Sequence, residues 1–186
     1  MEDLINESYE FEQVDNNPLH TKYDFVSKGK KQIPKRISIR KYPHAGLERY
    51  YNLGFGNIFI DEDGKESISD MSRDNNNDKD KVLKTVFTCA LDFLSGSPNS
   101  ILTFFGNTFA KHRLYKMGLN NNLASIQSYF IIKGGIINNL EIIETLDNRK
   151  QPNSIIKIEK IEYETYNPNK SSLYNFITFE LKDNFK

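Results

Sequence analysis

The sequence predicts an α+β fold, in which a mainly antiparallel, twisted sheet carries one long helix, at about residues 78–95, and one or two short helices, at about residues 108–128. Three observations lead there. Segments with period-two alternation cluster toward both ends of the chain, and one stretch repeats its apolar residues at helical spacing. The order strands, helix, strand, helices, strands also lacks the regular βαβ repeat of a parallel sheet.

Residues 1–20 are acidic, hold Asn16-Asn17-Pro18 near their end and follow no clean period, so they read as an N-terminal extension before a single domain over 21–186. Residues 23–26, 33–42 and 49–60 read as a strand meander, with Ile37 and Ile39 alternating with Arg36, Ser38 and Arg40. Asp61-Glu62-Asp63-Gly64 is a turn, and Ile68 opens a short edge strand. The Asn75-Asn76-Asn77-Asp78 cluster offers helix N-caps, and Asp78 and Asp80 complement a helix dipole. Val82, Leu83, Val86, Phe87, Ala90, Phe93 and Leu94 then recur at helical spacing until Gly96 and Pro98 stop the element, which is expected to lie across one face of the sheet.

The apolar run 101–105, bounded by Ser97-Pro98-Asn99 and Gly106, reads as a central strand buried on both faces. A second helix starts near Thr108 and ends at Gly118, and Asn120-Asn121-Asn122 caps a third containing Leu123, Ile126 and Tyr129. The remainder is extended over 129–133, 136–143, 155–163 and 173–181, with breaks at Gly134-Gly135, at 148–153 and at Asn167-Pro168-Asn169-Lys170.

Composition narrows the function classes. Hydrophobic residues make up 38% and charged residues 27%, with ten Tyr and thirteen Phe, so a core is available and general disorder is excluded. The single cysteine, Cys89, falls on the apolar face of the long helix and has no partner, which points to a reducing, cytoplasmic compartment. No secretory signal and no apolar run long enough for a membrane helix is visible. Net charge is zero, yet residues 22–49 hold nine Lys or Arg against Asp24 and Glu48, while residues 61–80 hold eight acidic residues against three basic ones.

The strand-turn-helix unit over 101–118 is the foremost candidate site. Gly106 allows close backbone approach, Asn107 and Thr108 precede free helix N–H groups, and Lys111 and Arg113 add cations for a phosphate or carboxylate. Its spacing matches neither the Walker nor the dinucleotide pattern, so it specifies no nucleotide. A weaker candidate for nucleic acid is the basic strand with Lys35, Arg36, Arg40 and Lys41, which also reads as a solvated edge protected against pairing. The loop 74–80 mimics a calcium loop but has Lys79 where glycine is needed and Thr85 where the bidentate glutamate is needed. No metal and no cofactor are expected, and the three histidines form no ligand set.

Three stretches, 50–57, 76–86 and 106–118, resemble in order and spacing a family of uncharacterised bacterial proteins, common in Bacteroidota, that is known as a domain of unknown function. The family's last motif reads Gly-Ser-Thr, two residues, Arg, one residue, Arg-Leu-Tyr. Gly106, Thr108, Arg113, Leu114 and Tyr115 match it, Asn107 stands for the serine and Lys111 for the first arginine. The resemblance implies a bacterial, cytosolic domain and no known chemistry.

Three function classes follow. The first is binding of a phosphate-bearing ligand or nucleic acid at Gly106, Asn107, Thr108, Lys111, Arg113 and Tyr115. The second is a partner or self-association surface, giving a homo-oligomer, through Tyr50, Tyr51 and Tyr174. The third is a nuclease-like toxin using Thr108, Lys111, His112, Arg113 and Tyr115 for phosphate positioning and proton transfer.

Overall fold

In the computed structural model, which describes residues 6–43, 46–69, 75–106, 109–146 and 152–186, with backbone alone at 109–111, 139–146 and 152–160, alternation builds the first half of the sheet. β1 (Phe11–Asn17), β2 (His20–Lys28), β3 (Gln32–Lys41) and β4 (Tyr50–Ile60) form an antiparallel meander. Thr21, Tyr23, Phe25 and Ser27 of β2 and Lys35, Ile37 and Ile39 of β3 are buried, while Arg36 and Arg40 point to the opposite face.

β1 corrects the expected N-terminal extension. Phe11 pairs with Phe25 and lies edge-on to Tyr23, and Tyr9 is buried against Phe25 with its N–H donating to Thr85 Oγ1 at 2.9 Å. Aromatic burial therefore brings this acidic segment into the sheet, and a register shift between Gln13 and Asp15 explains why its sequence shows no clean period.

Asn57 pairs with Lys35 on one side and with Ser69 of β5 (Glu66–Ser69) on the other. Further back along that second edge, residues 50–53 pair in parallel with β6 (Ile101–Phe104), whose four residues are all buried, as expected of a central strand. β9 (Phe176–Leu181), β7 (Phe130–Leu146) and β8 (Pro152–Thr165) complete the sheet in antiparallel fashion. The order among the described strands is β1-β2-β3-β4-β6-β9-β7-β8, with β5 beside β4.

Gly134 and Gly135 lie inside β7, where a break was expected. A Cβ on Gly134 would meet Tyr174 Cδ1 at 2.3 Å, and one on Gly135 would meet Phe176 Cζ at 2.3 Å. The glycines admit two rings, one on each face of the strand, which is the use of glycine where something packs close to a sheet.

The long helix is α1 (Lys79–Gly96), and its buried residues run from Val82 to Leu94 almost without interruption. It packs on the sheet through contacts such as Phe87–Phe179 and Tyr51–Phe93, and Tyr23 OH donates to Asp92 Oδ2 at 2.8 Å. Asp78 is its N-cap residue without capping through its side chain. That carboxylate instead accepts from Tyr9 OH at 2.8 Å and Ser27 Oγ at 2.5 Å, so it joins the helix start to the sheet.

The other helices are α2 (Phe109–Asn121) and α3 (Leu123–Tyr129). α2 runs past Gly118, the expected stop, because this glycine serves packing: its added Cβ would meet Leu83 Cδ1 of α1 at 2.0 Å. Tyr115 stacks on Phe104 at 4.7 Å and joins the same core. The fold is α+β, and no helix among the described residues is long and apolar enough to cross a membrane.

Candidate functional site

α2 presents two kinds of residue. Tyr115 and Leu119 turn inward to the core, while Arg113 and Met117, one turn apart, face out. Against the outward side lies a 3₁₀ turn, Pro168–Leu173, followed by Tyr174 and Asn175. Asn167 starts this turn with its side chain accepting from Asn169 N–H, and Tyr174 is fastened by its hydroxyl, which donates to Glu164 Oε1 at 2.6 Å.

Between α2 and this segment is a cavity of about 680 Å³. Gly106, His112, Arg113 and Lys116 form its polar wall, and no Asp or Glu is among the described residues that line it. Lys116 is 8% exposed, and its ammonium donates to the carbonyl oxygens of Ser171 at 2.5 Å and Tyr174 at 3.2 Å. Its charge thus meets carbonyl dipoles, with no carboxylate partner among the described residues. Burial lowers its pKa from the ordinary lysine value. Arg113 is exposed and forms no ion pair with any described residue.

His112 sits between the strand end and the cavity floor. Gly106 N–H donates to its Nδ1 at 3.3 Å, which places the ring proton on Nε2, and Nε2–H then donates to the Tyr174 carbonyl at 2.8 Å. Burial, opposed by the Tyr174 carbonyl and assisted by the nearby Lys116 charge, lowers its pKa, so the ring is neutral at pH 7.

Of the residues expected at this site, Gly106 and Arg113 line the cavity. Asn107 and Thr108 lie outside the described residues, and Lys111 is described in its backbone alone. Tyr115 belongs to the core, stacked on Phe104. At Gly106, where close backbone approach was expected, the N–H is already taken by His112. Sequence reading also missed the buried role of Lys116 and the whole opposing wall, since Tyr174 was expected on the surface and is 1% exposed. Burial of its ring over Gly134 draws it inward.

The basic strand is largely committed to its own sheet. Arg36 forms a two-pronged contact with Asp24, at 2.6 Å through both Nε and Nη2, and reaches Glu66 at 2.8 Å. Lys35 is 7% exposed and donates to Asn57 Oδ1, and Lys41 lies over the Tyr51 ring. Arg40 is exposed.

A larger cavity, about 1200 Å³, opens beside residues 8–12, the β2–β3 turn and the start of α1. Its charges are of both signs, and its most buried polar side chain, Asn76, already bonds Ser27 Oγ and both backbone groups of Lys31. The α2 cavity therefore combines charge of one sign with unspent donors in a way the larger one does not.

No curated protein and no solved structure matches this chain. The model of a family of unknown function, DUF6934, matches residues 6–160, which take in β1 through most of β8 and the α2 wall of the cavity. With well over half of its length matched, the chain belongs to this family of unknown function, DUF6934.

Proposed function

We propose that this protein is an anion-binding domain whose α2 cavity takes a small phosphate-bearing ligand. The observation that carries the reading is the ammonium of Lys116, buried with no carboxylate partner among the described residues, in a cavity that Arg113 also lines and that no described acidic residue lines. A buried cation without a counter-ion is costly, and an anion entering the cavity offsets that cost. Two of the three Lys116 donors are spent on carbonyls, which leaves one for a ligand, and the Arg113 fork is suited to a phosphate or carboxylate.

The test is titration with inorganic phosphate and with a short oligonucleotide at two salt concentrations. Phosphate binding that weakens with salt and is lost in Arg113→Ala supports the reading, and absence of any anion binding at low salt ends it. Nucleic acid is the less favoured ligand, because Lys35 and Arg36 are engaged within the sheet.

Self-association is a second reading, favoured by one observation. From Ile136 to Leu146, β7 has β8 as its sole neighbour among the described strands, and β8 has an open outer edge. Such a two-stranded ribbon is a template for pairing with another copy. Light scattering tests this, and a strict monomer at high concentration removes it.

A further inference from the structure

The cavity is much larger than a bare phosphate needs, and its walls differ in character. Its volume, about 680 Å³, falls in the range of sites that enclose an organic molecule of moderate size. Besides the cations, Met117 of α2 and Leu173 of the 3₁₀ turn both line it, and they are 52% and 58% exposed. Single exposed apolar side chains are ordinary on a protein surface, but here two large ones come from separate elements and line one cavity. Asn120 adds a further polar group to the lining. Its Oδ1 accepts from Tyr166 OH at 2.7 Å, which leaves the amide donors of a cavity-lining residue without a described partner.

We infer, resting on the anion-binding reading above, that the ligand is amphiphilic: an anionic head held by Arg113 and Lys116, joined to an apolar or aromatic body that lies against Met117 and Leu173. Closing those two side chains over the body removes apolar surface from water. Burial of on the order of 60 Å² is enough for a ten-fold gain in affinity. The cationic end fixes orientation, and the apolar end separates an organic anion from free phosphate, the division of labour usual in small-molecule sites.

The experiment is calorimetric titration of the full chain with inorganic phosphate, 1-naphthyl phosphate, 1-naphthoate and 1-naphthol. The expected result is that one or both naphthyl anions bind about ten-fold or more tighter than phosphate and naphthol. Which of the two wins assigns the head as phosphate or carboxylate. In a Met117→Ser, Leu173→Ser double variant that advantage disappears while phosphate affinity is kept, and in Arg113→Ala binding of every anion weakens. Both residues of the double variant are more than half exposed, so the fold is retained.

Equal affinity for phosphate and the naphthyl anions overturns the inference and leaves the anion-binding reading standing. Naphthol binding as tightly as the naphthyl anions overturns the inference too, and no anion binding at low salt overturns both.

Discussion

Lys116 and Tyr174 meet through a backbone oxygen: the ammonium lies 3.2 Å from the Tyr174 carbonyl, which His112 Nε2 also reaches at 2.8 Å. One carbonyl thus collects two side chains of α2, and the cavity wall and the helix are positioned by the same atom.

Lys116→Met keeps the length of the side chain and removes its charge. The variant loses about ten-fold or more in phosphate affinity, a charge-assisted bond being worth about 1.5–3 kcal/mol. Its stability changes by less, about 1 kcal/mol either way, because carbonyls left without a donor are offset by relief from burying a charge. Calorimetry and urea melts measure the two quantities separately. Unaltered phosphate binding would show that the ammonium is structural only.

Anion affinity falls in the alkaline range, beginning below 10.5, because burial lowers the Lys116 pKa from that value and the deprotonated amine no longer attracts an anion. The sign for the unliganded protein is opposite. The unfolded chain holds its proton longer, so stability at this position rises as pH climbs through the lowered pKa toward 10.5. Comparing the pH profiles of the parent chain and Lys116→Met isolates this contribution.

His112 is held neutral with its pKa below 6.5, so its contribution to stability is present above 6.5 and is lost as pH falls through the folded value. Protonation also removes the acceptor used by Gly106 N–H. Thermal melts between pH 7 and pH 5 should show a steeper loss for the parent chain than for His112→Gln. Parallel curves would refute this.

Gly134→Ala tests the coupling between the sheet and the cavity. The new methyl meets the Tyr174 ring at about 2.3 Å, so ring and carbonyl must shift together. A loss of roughly 2–3 kcal/mol in stability, typical of overpacking, accompanies weakened anion binding. Retained binding with only lower stability would separate the ring from the site.

Asp78→Ala removes the acceptor shared by Tyr9 and Ser27. The expected cost is on the order of 3 kcal/mol, since two donors lose a charged partner. Asp78→Asn recovers part of it. Neither substitution touches the α2 cavity, so phosphate affinity at low temperature is unchanged, and this pair serves as a control for folding effects.

Much of the architecture was legible because it depends on local period. Ile37 and Ile39 alternate with Arg36 and Arg40, the 101–104 run is apolar but for Thr103, and the spacing from Val82 to Leu94 is that of a helix. The Gly106 and Arg113 ends of the candidate site could be named for the same reason, as a turn glycine and a cation on the next helix.

What tertiary structure decided was the use to which each ambiguous residue is put. Gly118 and Gly134 read as punctuation in sequence and turn out to admit Leu83 and the Tyr174 ring, and Tyr174, an expected surface aromatic, becomes a cavity wall. Arg36 has its partners at Asp24 and Glu66, distant in sequence and adjacent only through strand pairing. A chain determines by itself those features that neighbours within a turn or a pleat impose. Burial of Lys116 beside residues 171–174 requires two segments more than fifty positions apart to meet, and only packing of the whole chain brings that about.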